Sequence, residues 1–170
     1  SGVIGGGSAE GGAVDKHMTA FQEAYARRGI KLERGERLSL GFQYFIAESR
    51  EAAMRAAGRY YEENMKMFGE LRLVRALSDD QIAAMRDPKL AAGVKLPTIE
   101  DAVKAGGFLA GTPADIIEQL KAVEKRYPGL DRVNCGMALG TPLAVALEQL
   151  DRFAKEVMPA FKSPMRAAAD

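Results

Sequence analysis

The chain has no tryptophan, one cysteine and one histidine in 170 residues. A single cysteine, Cys135, excludes an internal disulfide and fits a reducing compartment. The single histidine, His17, has no cluster of Cys, Asp or Glu near it at ligand spacing. A metal centre is therefore not expected, and His17 reads as a surface residue. No acid–base pair or nucleophile–base motif is visible either, so no residue is assigned a catalytic role. The chain lacks a run of ~20 apolar residues, which removes a membrane-spanning helix, and it shows no secretory leader. A cytoplasmic location is the expectation. Charge of one sign is also missing: 24 basic residues stand against 23 acidic ones. Neither nucleic acid nor a membrane surface is an expected partner on electrostatic grounds. The start, Ser-Gly rather than Met, points to a processed chain or a piece of something longer.

What the chain does have is an internal repeat. Gly111-Thr112-Pro113 opens a run that reaches Ile117-Glu118-Gln119-Leu120, and Gly140-Thr141-Pro142 opens one that reaches Leu147-Glu148-Gln149-Leu150. Each follows a short apolar segment. Thr112 and Thr141 suit helix caps, Pro113 and Pro142 suit the first helical position, and Asp115 suits a capping box with Thr112. The unit is strand, glycine turn, capped helix, near the ~30 residues of a βα unit. Both helices are amphipathic. In the second, Leu143, Ala146, Leu147, Leu150, Phe153, Ala154, Val157, Met158 and Phe161 share one stripe, worth roughly 10 kcal/mol gross if its larger side chains are buried. The first presents Ile116, Ile117, Leu120, Val123 and Tyr127. Helices with one apolar face packed on a sheet indicate an α/β protein.

The rest of the chain agrees. Val3-Ile4 ends a strand, and the glycine-rich stretch that closes residues 1–13 reads as a flexible loop, because it fits no phosphate-binding fingerprint. Val14–Arg28 reads as a helix with Val14, Met18, Phe21 and Tyr25 on one face. Leu38–Ala47 alternates as a strand. Arg50–Phe68 is a helix capped by Ser49, with Ala53, Ala57, Tyr60, Tyr61, Asn64 and Phe68 inward. Residues 71–106 form a helical insertion, a candidate lid, with capping boxes at Ser78–Gln81 and Thr98–Asp101. Asp131–Met137 is the last strand. Its mid-strand Asn134 faces water or lines a pocket, and Cys135 is a small core residue. Residues 163–170 read as a flexible tail.

Three segments carry a family likeness. Gly129-Leu130-Asp131-Arg132-Val133-Asn134-Cys135-Gly136 with Glu148-Gln149-Leu150-Asp151-Arg152-Phe153-Ala154-Lys155-Glu156-Val157-Met158-Pro159-Ala160-Phe161 resembles the C-terminus of bacterial luciferase-like monooxygenases. Gly111-Thr112-Pro113-Ala114-Asp115 resembles that family's Gly-Thr-Pro-acidic segment, and Phe45-Ile46-Ala47-Glu48-Ser49-Arg50-Glu51-Ala52 its seventh strand with the helix after it. The likeness spans roughly residues 13–161.

The resemblance implies a partial (β/α)8 TIM barrel, residues 1–170 forming one partial domain. Leu38–Ala47 becomes the seventh strand, Asp131–Met137 the eighth, Val3-Ile4 the end of the sixth, and residues 71–106 the insertion after strand seven. It implies flavin chemistry with reduced FMN, O2 and a small organic substrate. A deazaflavin (F420)-dependent oxidoreductase on the same fold is the alternative, and a non-catalytic assembly or binding module is a second one. A whole barrel needs at least ~200 residues, so strands one to five, with the family's catalytic histidine and main flavin-phosphate contacts, lie outside this chain. The implied partner is the missing N-terminal half, or another copy of the chain. Met65 matches the position of the family's flavin-neighbouring tryptophan, and Tyr61 lies one turn earlier. With Asn134 these are the candidate cofactor-binding residues.

Overall fold

The structure, a computed structural model, describes residues 2–6, 12–70, 79–95 and 97–161. Most of the glycine run, the Ser78 cap, the Phe68 side chain and the tail lie outside the described residues. The elements are β1 (Val3–Gly6), α1 (Gly12–Ala26), β2 (Leu38–Ile46), α2 (Arg50–Glu70), α3 (Asp79–Met85), α4 (Ile99–Lys104), β3 (Phe108–Gly111), α5 (Pro113–Arg126), β4 (Arg132–Gly136) and α6 (Leu143–Arg152). A π turn, Phe153–Val157, and a 3-10 turn, Met158–Phe161, continue α6.

All strand pairing is parallel, as expected when helices connect the strands. β2 is central. It pairs with β1 through Leu38–Gly41, with β3 through Gln43–Ile46 and with β4 through Ser39–Gln43. Backbone groups alternate sides along a strand, which places the neighbours. Val3 N–H donates to Arg37 C=O at 2.9 Å, and Ala47 N–H donates to Gly111 C=O at 2.9 Å. Both β2-side groups are odd-numbered, so β1 and β3 lie end to end along one edge. Asp131 N–H donates to Leu38 C=O at 3.2 Å, on the other edge, where β4 runs. Among the described residues β4 pairs with β2 alone, so its outer edge is open.

The even positions of β2, Leu38, Leu40, Phe42, Tyr44 and Ile46, form one core with Val14 and Met18 of α1, Ile116, Leu120 and Val123 of α5, and Val157. On the opposite face only the carboxyl half is covered. Phe45, Phe108 and Ala110 pack there against Ala53, Ala57, Tyr60 and Tyr61 of α2 and Ile99 of α4. Ser39, Gly41 and Gln43, nearer the strand's start, are half-buried, beside exposed Arg132 and Asn134.

The two Gly-Thr-Pro turns diverge. In the first, Thr112 and Asp115 form the reciprocal box, with Thr112 N–H on Asp115 Oδ2 at 2.8 Å and Asp115 N–H on Thr112 Oγ1 at 3.2 Å. Gly111 sits at φ +139°, and a Cβ there would meet Asp115 Oδ2 at 2.6 Å. Only glycine fits that conformation and that approach. In the second, Thr141 does not cap. Its hydroxyl donates to Ala138 C=O at 2.7 Å, and Pro142 is the N-cap, with no side-chain cap bond, instead of the first helical residue. The reason is local: Ala144 stands where Asp115 completes the first box, so nothing holds the threonine in a capping role.

The stripe on the second helix also divides. Phe153, Val157 and Phe161 pack on the core, whereas Leu143, Leu147, Leu150 and Met158 are 74%, 57%, 47% and 50% exposed. The apolar sector is wider than the face the sheet covers, so the gross burial expected for the whole stripe is not realised within this chain.

At the amino end of β2, Asp15 of α1 accepts from the guanidiniums of Arg34 and Arg126 and, at 2.8 Å, from the Tyr127 hydroxyl. The Arg126 hydrogen bond leads in holding the Asp15 carboxyl down to about 2. A depressed carboxylate contributes stability above its unfolded value, near 3.8, and loses it as pH falls towards 2. The side chain is a quarter exposed, so screening reduces the contribution to about 1–2 kcal/mol. Urea-derived unfolding free energies of the chain and of Asp15→Asn should differ by that amount at pH 7 and converge below pH 2.5. A gap unchanged between pH 6 and pH 2.5 would show that the carboxylate is not the source.

Candidate functional site

Ligands in parallel α/β sheets bind beyond the carboxyl ends of the strands. The chain has a cavity of about 560 Å³ at that place, within the roughly 300–1,000 Å³ usual for small-molecule sites. Three elements build it: the end of β2 (Phe45, Ile46, Ala47, Glu48), the first half of α2 (Ala52, Arg55, Ala56, Arg59, Tyr60) and α6 (Val145, Glu148, Gln149, Arg152). Phe45, Tyr60, Val145 and the alanines give apolar walls. Three guanidiniums and two carboxylates give the charge.

Two of these side chains hold the site together. Gln149 is 2% exposed. Its Oε1 accepts from Ile46 N–H at 2.6 Å and its Nε2 donates to Ile46 C=O at 3.0 Å. β4 stops at Gly136, opposite Gln43, so the amide continues the hydrogen-bond ladder on that edge where the strand has ended. Tyr44 O–H donates to Gln149 C=O at 3.1 Å, locking helix to strand, and burial pushes the Tyr44 hydroxyl up to about 12. Arg152 Nη1 also donates to Ile46 C=O at 3.0 Å, while its Nε donates to Glu156. On α2, the Arg59 guanidinium lies 4.7 Å over the Tyr60 ring and donates to its hydroxyl. Among the described residues Arg55 makes no hydrogen bond, and neither Glu48 nor Glu148 pairs with any of the three arginines.

The three residues expected from the sequence do not line this cavity. Tyr61 and Met65 are buried on the face of α2 that packs on β3, Tyr61 meeting Phe108 edge-on at 5.8 Å between ring centroids. Burial pushes the Tyr61 hydroxyl up. Asn134 is exposed on β4, where its Nδ2 donates to Ser39 Oγ at 3.2 Å. The structure brings Tyr61 and Met65 together and leaves Asn134 apart, on the uncovered half-face of the sheet. Asn64, one turn from Tyr61, is 2% exposed, and its Oδ1 accepts from Leu139 N–H at 3.3 Å, holding the loop after β4. Cys135 packs against the core, and burial raises its thiol to about 11, so it carries no thiolate at neutral pH. His17 is exposed on α1. Sequence reasoning missed Arg55, Arg59 and the role of Gln149. The signal for Gln149 was the repeated Glu-Gln-Leu: its counterpart Gln119 donates to Asp115 C=O at 2.9 Å and reaches Ala110 C=O on β3 at 3.5 Å.

Among solved structures the fold matches the monooxygenase RslO1 from Streptomyces bottropensis, with a TM-score of 0.59 and 17% identity, over 94% of this chain and 41% of that one. The fold is shared with monooxygenases. It also matches the oxygenating constituent of 3,6-diketocamphane monooxygenase from the CAM plasmid of Pseudomonas putida, a type II Baeyer–Villiger enzyme in complex with FMN. That match has a TM-score of 0.58 and 18% identity, over 96% of this chain and 43% of that one. The chain thus spans less than half the length of either structure. No protein family and no curated protein matches it in sequence. Among the described residues no helix is long and apolar enough to cross a membrane, and no three His, Cys, Asp or Glu side chains are grouped to hold a metal ion.

Proposed function

We propose that this chain is the C-terminal part of a luciferase-like, flavin-dependent monooxygenase, one side of a (β/α)8 barrel with β2 as strand seven, β4 as strand eight and residues 71–106 as the insertion. The observation that carries the reading is the match of nearly the whole chain to under half of two monooxygenases, together with the open edge of β4. An open parallel edge and a half-covered face call for further strands. The partner of this edge is the N-terminal half of the barrel, and a second copy of the chain in its place is an outcome of the test.

The chain's own residues do not make a whole flavin site. Tyr61 and Met65 are buried in the cluster with Phe108, Asn134 is exposed on β4, and the reading takes Asn134 as the residue open to a ligand between the halves. This chain contributes the substrate side of the rim: an apolar wall from Phe45, Tyr60 and Val145 that excludes water, and guanidinium donors that orient a polar group. Reduced FMN would supply the electrons with which O2 oxidises a small organic substrate.

The test follows flavin fluorescence while oxidised and reduced FMN are titrated into the chain, with sedimentation on the same samples. Saturable binding is expected only in species large enough to be closed barrels. Closed species that bind no flavin would sink the reading and favour a non-catalytic assembly module. Binding of F420 in place of FMN would move the chemistry to hydride transfer.

A further inference from the structure

The cavity between α2 and α6 has a charge pattern that the fold does not require. Arg55 and Arg59 lie one turn apart on α2, a spacing at which like charges disfavour the helix. Acidic partners are at hand in Glu48 and Glu148, which line the same cavity. Among the described residues the arginines nevertheless make no ion pair with them. Arg55 has Glu51 in its electrostatic surroundings but, among the described residues, spends none of its donors in a hydrogen bond. Arg152 is paired with Glu156, so Arg55 and Arg59 are the guanidiniums left to a ligand in this cavity, beside Glu48 and Glu148. The same cavity is lined by the Phe45 and Tyr60 rings, Val145 and three alanines.

We propose that this cavity binds the carboxylate of a small organic acid with an apolar body, the acid group held by Arg55 and Arg59 and the body lying on the aromatic wall. A guanidinium fork matches the two oxygens of a carboxylate. Two guanidiniums match a single carboxylate, and the two glutamates repel a dianion such as a phosphate monoester more strongly than a monoanion. Arg152 is the third cation, but its bond to Ile46 C=O ties it to the strand end, where it positions the rim. The inference rests on reading the cavity as the substrate side of an oxidation site, and it names an organic acid as the substrate class.

The experiment titrates 2-naphthoate, 2-naphthamide and 2-naphthyl phosphate into the chain and reads heat and naphthyl fluorescence. All three elements of the cavity lie within this chain, so the chain alone suffices. Naphthoate should saturate, and naphthamide, which has the same shape without the charge, should bind at least roughly tenfold more weakly. Arg55→Gln should weaken naphthoate by at least roughly tenfold with an unchanged melting temperature. Arg28→Gln, on the surface elsewhere, should leave binding unchanged. Equal affinity for acid and amide overturns the proposal. So does an Arg55→Gln variant that binds normally, the absence of naphthoate binding, or a clear preference for naphthyl phosphate. The flavin titration separates the two readings. FMN binding without naphthoate binding removes the acid site alone, and naphthoate binding by closed species that bind no FMN removes the flavin reading alone.

Discussion

Replacing Gln149 with leucine will destabilise the chain by about 2–4 kcal/mol, a large share of the roughly 5–15 kcal/mol that holds a domain folded. Leucine nearly matches glutamine in size, so little packing is lost. The loss is polar. Ile46 N–H, now bonded to Gln149 Oε1 at 2.6 Å, would be left without a partner, and among the described residues no strand runs beside it to supply one, because β4 ends opposite Gln43. A buried donor with no acceptor costs its full desolvation, about 1–3 kcal/mol, beyond the bond itself. Ile46 C=O suffers less, since Arg152 Nη1 also donates to it at 3.0 Å. The control is Gln119→Leu at the equivalent place in the repeat. Gln119 is only partly buried and bonds to carbonyls, so its loss should cost under about 1 kcal/mol. Urea unfolding of the two variants decides the matter. Equal costs would mean that Gln149 is an ordinary helix residue and not the continuation of the sheet.

The same residue shows where a sequence can be read and where it cannot. The strands and helices were legible because their signals are local. Alternation gave β2, and Thr112 with Asp115 gave the start of α5, each from residues within a few positions of one another. Gln149 was not legible, because what makes it structural is the end of a strand over a hundred residues earlier. Hydropathy places a glutamine outside by default. The second Gly-Thr-Pro turn misled for a related reason: a cap depends on the residue three places on, and Ala144 cannot do what Asp115 does. The site divides in the same way. Tyr61 and Met65 were picked by position in a family pattern, and the fold uses both in the contact of α2 with β3. Arg55 and Arg59 sit in a helix rich in charge, where nothing local marks them. Only the convergence of α2, α6 and the end of β2 makes a cavity of them.

Leu143→Lys combined with Leu147→Lys will leave the stability of the chain within about 0.5 kcal/mol of its starting value. The same pair will weaken association with the N-terminal half proposed above by at least a hundredfold, about 2.8 kcal/mol. Both halves of this expectation follow from how α6 is used. Its buried side carries Gln149, leading on to Phe153 and Val157 in the turn that follows, and the sheet covers that side. Leu143, Leu147 and Leu150, at steps of four and three, occupy the flank that the sheet leaves bare, with exposures of 74%, 57% and 47%. A helix apolar on its outer flank as well as its inner one belongs inside a larger body. The strand before it, β4, has an open edge, so strand edge and leucine flank belong to consecutive elements of one βα unit. A parallel strand added to β4, followed by a helix laid on the leucines, would satisfy both, and the monooxygenases that share this fold are more than twice as long. Each leucine fully buried contributes roughly 1.5–3 kcal/mol before the cost of docking is subtracted. Sedimentation of the chain with the complementary half, before and after substitution, measures the loss, and urea unfolding of the chain alone measures the control. A double variant that unfolds as easily as a core mutant would place the leucines in the chain's own packing. One that still assembles at full strength would place the contact on another face.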